Sequence, residues 1–173
     1  MIKAYSDFER LEFKEQAKRL SYLKGLCNIS LSLQENDKVR EYASEIAIHA
    51  LTDNDLVFAY GLLGAAYEKK GKYDNAIGYY GKALKIQLKA LGDEHPDVGT
   101  TYNSIGLVIY NKSEYDNAIG YFGKALKIQL KALGDEHPDV GTIYNNIGLA
   151  YDKKGEYDNA IGYYDKDLKI QLK

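Results

Sequence analysis

One cysteine and no tryptophan occur in 173 residues, prolines number two, and neither sign of charge dominates. The single thiol, Cys27, cannot close an internal disulfide, so the fold must rest on packing. Its place between Leu26 and Ile29 in an apolar-periodic stretch marks it as a buried structural cysteine rather than a reactive one. A formal charge of -2 at pH 7 provides no overall basic field, which argues against nucleic-acid or anionic-membrane binding. No stretch nears the roughly eighteen apolar residues of a membrane span. The opening residues, Met1 to Arg10, lack the apolar core of a secretion signal, so the expected location is cytoplasmic. There is no phosphate-cradling glycine loop, no His-Glu-x-x-His and no paired cysteine spacing. Carboxylates are numerous but scattered over solvated faces, so the chain reads as non-catalytic, with no cofactor and no metal expected.

What the sequence has is repetition. Tyr73–Glu114 and Tyr115–Glu156 align without a gap at a period of 42, differ at eight positions, and are followed by a further copy from Tyr157. Upstream, Tyr60, Leu63, Gly64 and Tyr67 match Tyr102, Ile105, Gly106 and Ile109, then Tyr144, Ile147, Gly148 and Tyr151. A fainter copy is expected before that, with Ala43, Ala50 and Leu51 in the places of Ala76, Ala83 and Leu84. Self-similarity at this period denotes an array of stacked units. Within a unit, Tyr73, Ala76, Ile77, Tyr80, Ala83 and Leu84 recur at helical steps, as do Val98, Tyr102, Ile105 and Ile109. Each unit is therefore two helices, and the fold expected is all-α. Residues 1–54 form N-terminal helices with a degenerate unit, and residues 55–95, 96–137 and 138–173 form three clear ones.

The stretch Ala-Leu-Gly-Asp-Glu-His-Pro-Asp-Val occurs at Ala90–Val98 and again at Ala132–Val140. Its acids and histidine look like ligands, yet consecutive Asp, Glu and His in a short turn diverge, and no second His or Cys stands nearby. Gly92 can end one helix, and Pro96, which needs no N–H, can open the next. The stretch is read as a corner whose carboxylates favour the positive end of the new helix, with weak adventitious binding of divalent ions as the lesser alternative. His49 stands alone and is read as a packed or surface residue. Lys70-Gly71-Lys72 and Lys154-Gly155-Glu156 provide a glycine for the turn inside the unit, a task Asn111-Lys112-Ser113 does less well. Seventeen tyrosines, many at helical spacing, are better explained by packing between units than by an aromatic platform.

Thr100–Ile128 and Thr142–Ile170 carry an aromatic, a large aliphatic, a glycine and an aromatic, then alanine, aromatic and alanine. This order resembles the tetratricopeptide repeat, in the 42-residue variety found in kinesin light chains and many bacterial multi-repeat proteins. The resemblance covers the chain from Asp55 onward and Ser21–Leu51 only weakly. It implies a right-handed superhelical α-solenoid that works as a protein-interaction module, holding a peptide or partner helix in a concave groove. The first helix of each repeat lines that groove in the family. Carried over, the positions are Phe58, Gly61, Leu62, Ala65, Glu68 and Lys69, then Thr100, Asn103, Ser104, Leu107, Tyr110 and Asn111, then Thr142, Asn145, Asn146, Leu149, Asp152 and Lys153. Of the eight differences between the long copies, seven fall in the first helix or the turn after it, and the eighth is Tyr80/Phe122. That pattern suits a binding face, and it equally suits solvated positions that drifted after duplication. The basic cluster with which chaperone-binding members hold a C-terminal carboxylate has no full counterpart here.

The last copy departs from the others at Asp165, in place of Gly81 and Gly123, and at Asp167, in place of Ala83 and Ala125. A carboxylate at the second position is costly to bury and is expected to oppose docking of another repeat. With Ile170, these residues mark a possible face for homo-oligomer formation, which makes self-assembly the first alternative function. The sensor or adaptor part of a signalling system is the second.

Overall fold

The computed structural model describes residues 2–172, with side chains from Arg10 to Leu172. Eight helices make up its described residues: α1 (Ile2–Ser32), α2 (Asn36–His49), α3 (Asp53–Lys69), α4 (Tyr73–Leu91), α5 (Pro96–Asn111), α6 (Tyr115–Leu133), α7 (Pro138–Lys154) and α8 (Tyr157–Gln171). They pack as antiparallel pairs, and each pair stacks on the next.

Chain punctuation explains these boundaries. Thr52 caps α3 by accepting the Asp55 N–H, while the Asp55 carboxylate reaches back to the Thr52 N–H at 2.9 Å, closing a reciprocal box. Pro96 and Pro138 occupy the first turns of α5 and α7. Gly92 and Gly134 end α4 and α6 with φ of 84° and 86°. Helix α2 stops at His49, so Ala50 and Leu51 lie in the connection and do not take the helical places of Ala83 and Leu84. The observed register instead pairs Asp37 with Asp74: each is the second residue of its helix, and each meets the lysine that ends the following first helix.

Two buried clusters run the length of the stack. One joins Leu20, Leu23, Cys27, Ala43, Ile46, Ala59 and Leu63 across α1, α2 and α3. Burial pushes the Cys27 thiol up to about 11, which fits a packing role. The other joins Ala76, Tyr80, Ile105, Val108, Phe122, Ala125, Ile143 and Ile147 across α4 to α7. Tyr67 packs against both, so the core is continuous. Polar links bridge the same seams. Lys112 reaches Asp74 at 2.8 Å and Lys154 reaches Asp116 at 2.6 Å, while Lys70 pairs with Asp37. Each ties a first helix to the second helix before it. Lys24 pairs with the buried Asp55 and ties α1 to α3.

Two residues interrupt the regularity. Ser113 adopts φ of 65° where Gly71 and Gly155 adopt 68° and 78°, a left-handed conformation that costs a side-chain-bearing residue about 1 kcal/mol. In the first seam, Thr101 Oγ1 donates to Gln87 Oε1 at 2.7 Å. One repeat on, Ile143 replaces that threonine, and Gln129 Oε1 is buried with no hydrogen-bond partner.

Two substitutions test this reading by urea unfolding. Ser113→Gly is expected to raise stability by about 1 kcal/mol, and no gain would show that the turn carries no strain. Thr101→Val keeps the shape but strands Gln87 Oε1, and is expected to cost about 1–3 kcal/mol; a neutral result would show that this buried bond has no net value.

Candidate functional site

The first helices approach one another directly, and the second helices do not. Helices α5 and α7 touch, while α4 and α6, and α6 and α8, make no comparable contact among the described residues. Asn146 Nδ2 donates to Asn103 Oδ1 at 3.0 Å from α7 to α5, and Asn111 Nδ2 donates to Glu68 Oε1 at 3.2 Å from α5 to α3. Helices α3, α5 and α7 therefore lie side by side along one face of the array, here called the inner side.

Along this surface the residues singled out in the sequence have distinct surroundings. Phe58 and Leu62 are half-buried on the first cluster, with the Lys24 ammonium 5.6 Å from the Phe58 ring centroid. Ser104 Oγ donates to the Thr100 carbonyl of its own helix at 3.1 Å. Leu107 is half-buried against the second cluster. Tyr110 is also half-buried there, its ring 5.5 Å from that of Tyr115 and tilted by 57°. Leu149 is half-buried, while Asn111, Asp152 and Lys153 are exposed. Asn146 is buried at 8% exposure, so its amide serves the seam more than the surface. Asn145 borders an open cleft of about 470 Å³ with Pro138, Thr142, Asp167, Ile170 and Gln171. A smaller cleft of about 130 Å³ lies one repeat earlier, between Thr100, Asn103, Gln129, Asp139, Thr142 and Ile143.

Of the other candidate face, Asp165 is exposed and Ile170 half-buried, but Asp167 is buried. It tolerates burial by accepting from Gln171 Nε2 at 2.8 Å and by lying over Gly141, where an added Cβ would stand 2.8 Å from Asp167 Oδ1. Both histidines of the repeated corner cap the helices that follow. His95 Nδ1 accepts the Asp97 N–H at 3.2 Å, and His137 Nδ1 accepts the Asp139 N–H at 3.1 Å. Each of these ring nitrogens is thereby committed to the backbone. Among the described residues, no three His, Cys, Asp or Glu side chains are placed to share an ion. None of the described helices is long and apolar enough to cross a membrane.

Glu68, one of the first-helix positions carried over from the family, sits on the inner face between α3 and α5. Burial pushes its carboxyl above the usual range, against the opposing effect of donors Tyr80 Oη at 3.4 Å and Asn111 Nδ2.

Residues 55–110 and 97–173 match the tetratricopeptide repeat family, and the chain belongs to it. No curated protein matches the sequence. Among solved structures, BtubC (BKLC) from P. vanneervenii superposes with a TM-score of 0.81 at 22% identity, over 96% of this chain and 69% of that one. MamA gives 0.70 at 23% identity, over 98% and 92%. A putative kinesin light chain of nearly identical TPR-like repeats from Podosopora anserina gives 0.69 at 20% identity, over 88% and 74%. At these identities the likeness is one of fold. Domains of this family are generally protein-interaction modules, and no catalytic domain is found in the chain.

Because the Glu68 carboxyl is raised, the folded chain holds its proton more tightly than the unfolded chain does. This contribution to stability is full at low pH and falls as pH rises through and above the ordinary glutamate value of 4.5. Glu68→Gln is expected to stabilise the protein at pH 7 relative to wild type, and to lose that advantage near pH 4 in paired thermal melts. An advantage that does not change with pH would refute the burial of an ionisable group at this point.

Proposed function

We propose that the chain is a non-catalytic module that holds an extended peptide or a partner helix along the inner surface of α3, α5 and α7. The observation that carries this reading is the placement of the differences between the near-identical repeats. Seven of the eight fall on the first helices or their turns, while α4 and α6 differ only at Tyr80/Phe122. Asn145 and Thr142 border the open cleft beside half-buried Leu149, and Asn103 and Thr100 border its smaller counterpart near Leu107. Amides can both donate to and accept from a peptide backbone, and the adjacent leucines offer apolar contact. Asp152 and Lys153 add charges of opposite sign at the far end of α7.

A second reading, self-association through α8, rests on Tyr157, Ile161 and Leu168. These are 63%, 57% and 50% exposed, whereas Ile77, Leu84, Ile119 and Leu126 at matching positions pack against the core. A second copy seated there would bury this apolar strip.

The test is selection from a displayed random-peptide library, followed by binding measurements with Asn145→Ala. This variant is expected to weaken a selected peptide about tenfold while leaving the melting temperature unchanged, the scale of a lost buried hydrogen bond. An unchanged affinity would remove Asn145 from the binding face. Light scattering of the same samples across concentration separates the readings: a dimer that Ile161→Asp dissolves would place self-association first.

A further inference from the structure

The outer side of the array repeats a second pattern that the inner-face reading leaves unused. In each clear repeat, one lysine of the second helix lies over two tyrosine rings. Lys82 stands 5.4 and 4.9 Å from the centroids of Tyr60 and Tyr79, Lys124 5.4 and 5.1 Å from Tyr102 and Tyr121, and Lys166 5.4 and 4.8 Å from Tyr144 and Tyr163. One turn further along stand Lys85, Lys127 and Lys169. All six are exposed, and among the described residues none is ion-paired, unlike Lys70, Lys112, Lys131 and Lys154. Attraction to the negative end of a helix accounts for lysines in a last turn, such as Lys89 and Lys131. Lys82 and Lys124 lie two turns before their helices end, so that effect does not reach them. The tilted ring pairs hold these ammonium groups by cation–π attraction.

In the middle repeat this pattern borders a cleft of about 200 Å³, whose floor includes Tyr102 and Ile128 and whose rim includes Lys124, Lys127, Lys131 and Glu94. Glu94 is already engaged by Lys131. The opening is apolar at its base, with Lys124 and Lys127 on one side, neither in an ion pair, and Lys127 close enough to act on Glu94 by charge.

We propose that this outer lysine–tyrosine band is a docking surface for an acidic peptide segment, with carboxylates on Lys124 and Lys127 and an apolar side chain in the cleft between Tyr102 and Ile128. Charge complementarity selects the occupant. A segment that alternates acidic and apolar residues can place its carboxylates on Lys124 and Lys127 and turn an apolar residue past Glu94, and Asp93 on the same rim imposes the same alternation. A continuous phosphate backbone would meet both acids, on a chain whose net charge is already -2. The lysine pair recurs as Lys82 with Lys85 and as Lys166 with Lys169, so a longer segment gains contacts by crossing helices.

The test is fluorescence anisotropy at low salt with a labelled peptide of alternating glutamate and leucine, about a dozen residues long, beside its lysine–leucine counterpart and a labelled oligo-dT. The acidic peptide is expected to bind, and Lys124→Gln with Lys127→Gln to weaken it roughly tenfold, as loss of two charge contacts implies. Lys124→Arg with Lys127→Arg is expected to retain binding, and Lys72→Gln, an exposed lysine outside the band, to have no effect. The substituted lysines are exposed, so unchanged circular dichroism and melting are expected to accompany the loss. The proposal falls if the acidic peptide binds no better than the basic one, if Lys72→Gln weakens binding equally, or if oligo-dT binds more tightly. None of these results depends on whether the inner face binds a ligand, so each reading can fail alone.

Discussion

Gly106 lies so close to the Phe122 ring that a methyl group in its place would stand 2.6 Å from it, and Gly64 and Gly148 hold the same relation to Tyr80 and Tyr164 at 2.8 and 2.7 Å. These contacts fix the separation of the two helices in each repeat. A helix pair alone leaves its other faces open, so the spacing set inside one pair determines what the next can cover. Tyr80 and Phe122 then serve twice, wedged against a glycine in their own repeat while joined to the cluster that continues into the next. Interiors of this kind are close-packed, and an error in one hairpin would pass along the stack.

The seams between repeats are less uniform than the hairpins. Thr101 satisfies Gln87 in one seam, while Ile143 in the next gains apolar burial and leaves Gln129 to find what it can. Gln129 Nε2 turns to the Pro96 carbonyl at 3.1 Å and Thr100 Oγ1 at 3.2 Å within its own repeat, and its oxygen is stranded. A buried amide oxygen without a partner costs about 1–3 kcal/mol, and burial of an isoleucine in place of a threonine offsets a similar amount. Thr101 in one seam and Ile143 in the other make the two polar and apolar versions of one joint.

The repeat unit and its two helices were legible in the sequence because apolar spacing, helix-ending glycines and helix-opening prolines all agreed. The corner at His95 and His137 was readable for the same reason: its residues act within a few positions of one another. What sequence could not show are contacts out of register with the period. Asn103 meets Asn146, and Glu68 meets Asn111, each pair 43 residues apart in an array whose period is 42. Lining up equivalent positions places these partners in neighbouring columns, where no pairing is visible. Asp167 misled in another way, since the cost of burying a carboxylate was clear while the space over Gly141 and the Gln171 donor one turn later were not. In the degenerate unit the alanine spacing that matches Ala76, Ala83 and Leu84 runs past the helix, which ends at His49, so that spacing and the true register differ.

Variation and constancy divide between the two sides of the array. Helices α4 and α6 are identical except at Tyr80/Phe122, a buried position, so the surface they turn outward is the same surface twice. In α8 the lysine pair persists as Lys166 and Lys169 even though Asp165 and Asp167 have replaced a glycine and an alanine between the same flanking residues. Helices α3, α5 and α7 present instead positions that change from one repeat to the next, as from Glu68 to Tyr110 to Asp152. A ligand with a non-repeating order of side chains can be read only by a surface that does not repeat. A ligand recognised by one recurring chemistry gains from a surface that does, because each added contact arrives already tethered by the last. The two faces therefore suit different kinds of partner, and the fold allows both because the contacts that set the helix spacing, Gly64 on Tyr80, Gly106 on Phe122 and Gly148 on Tyr164, lie between the paired helices.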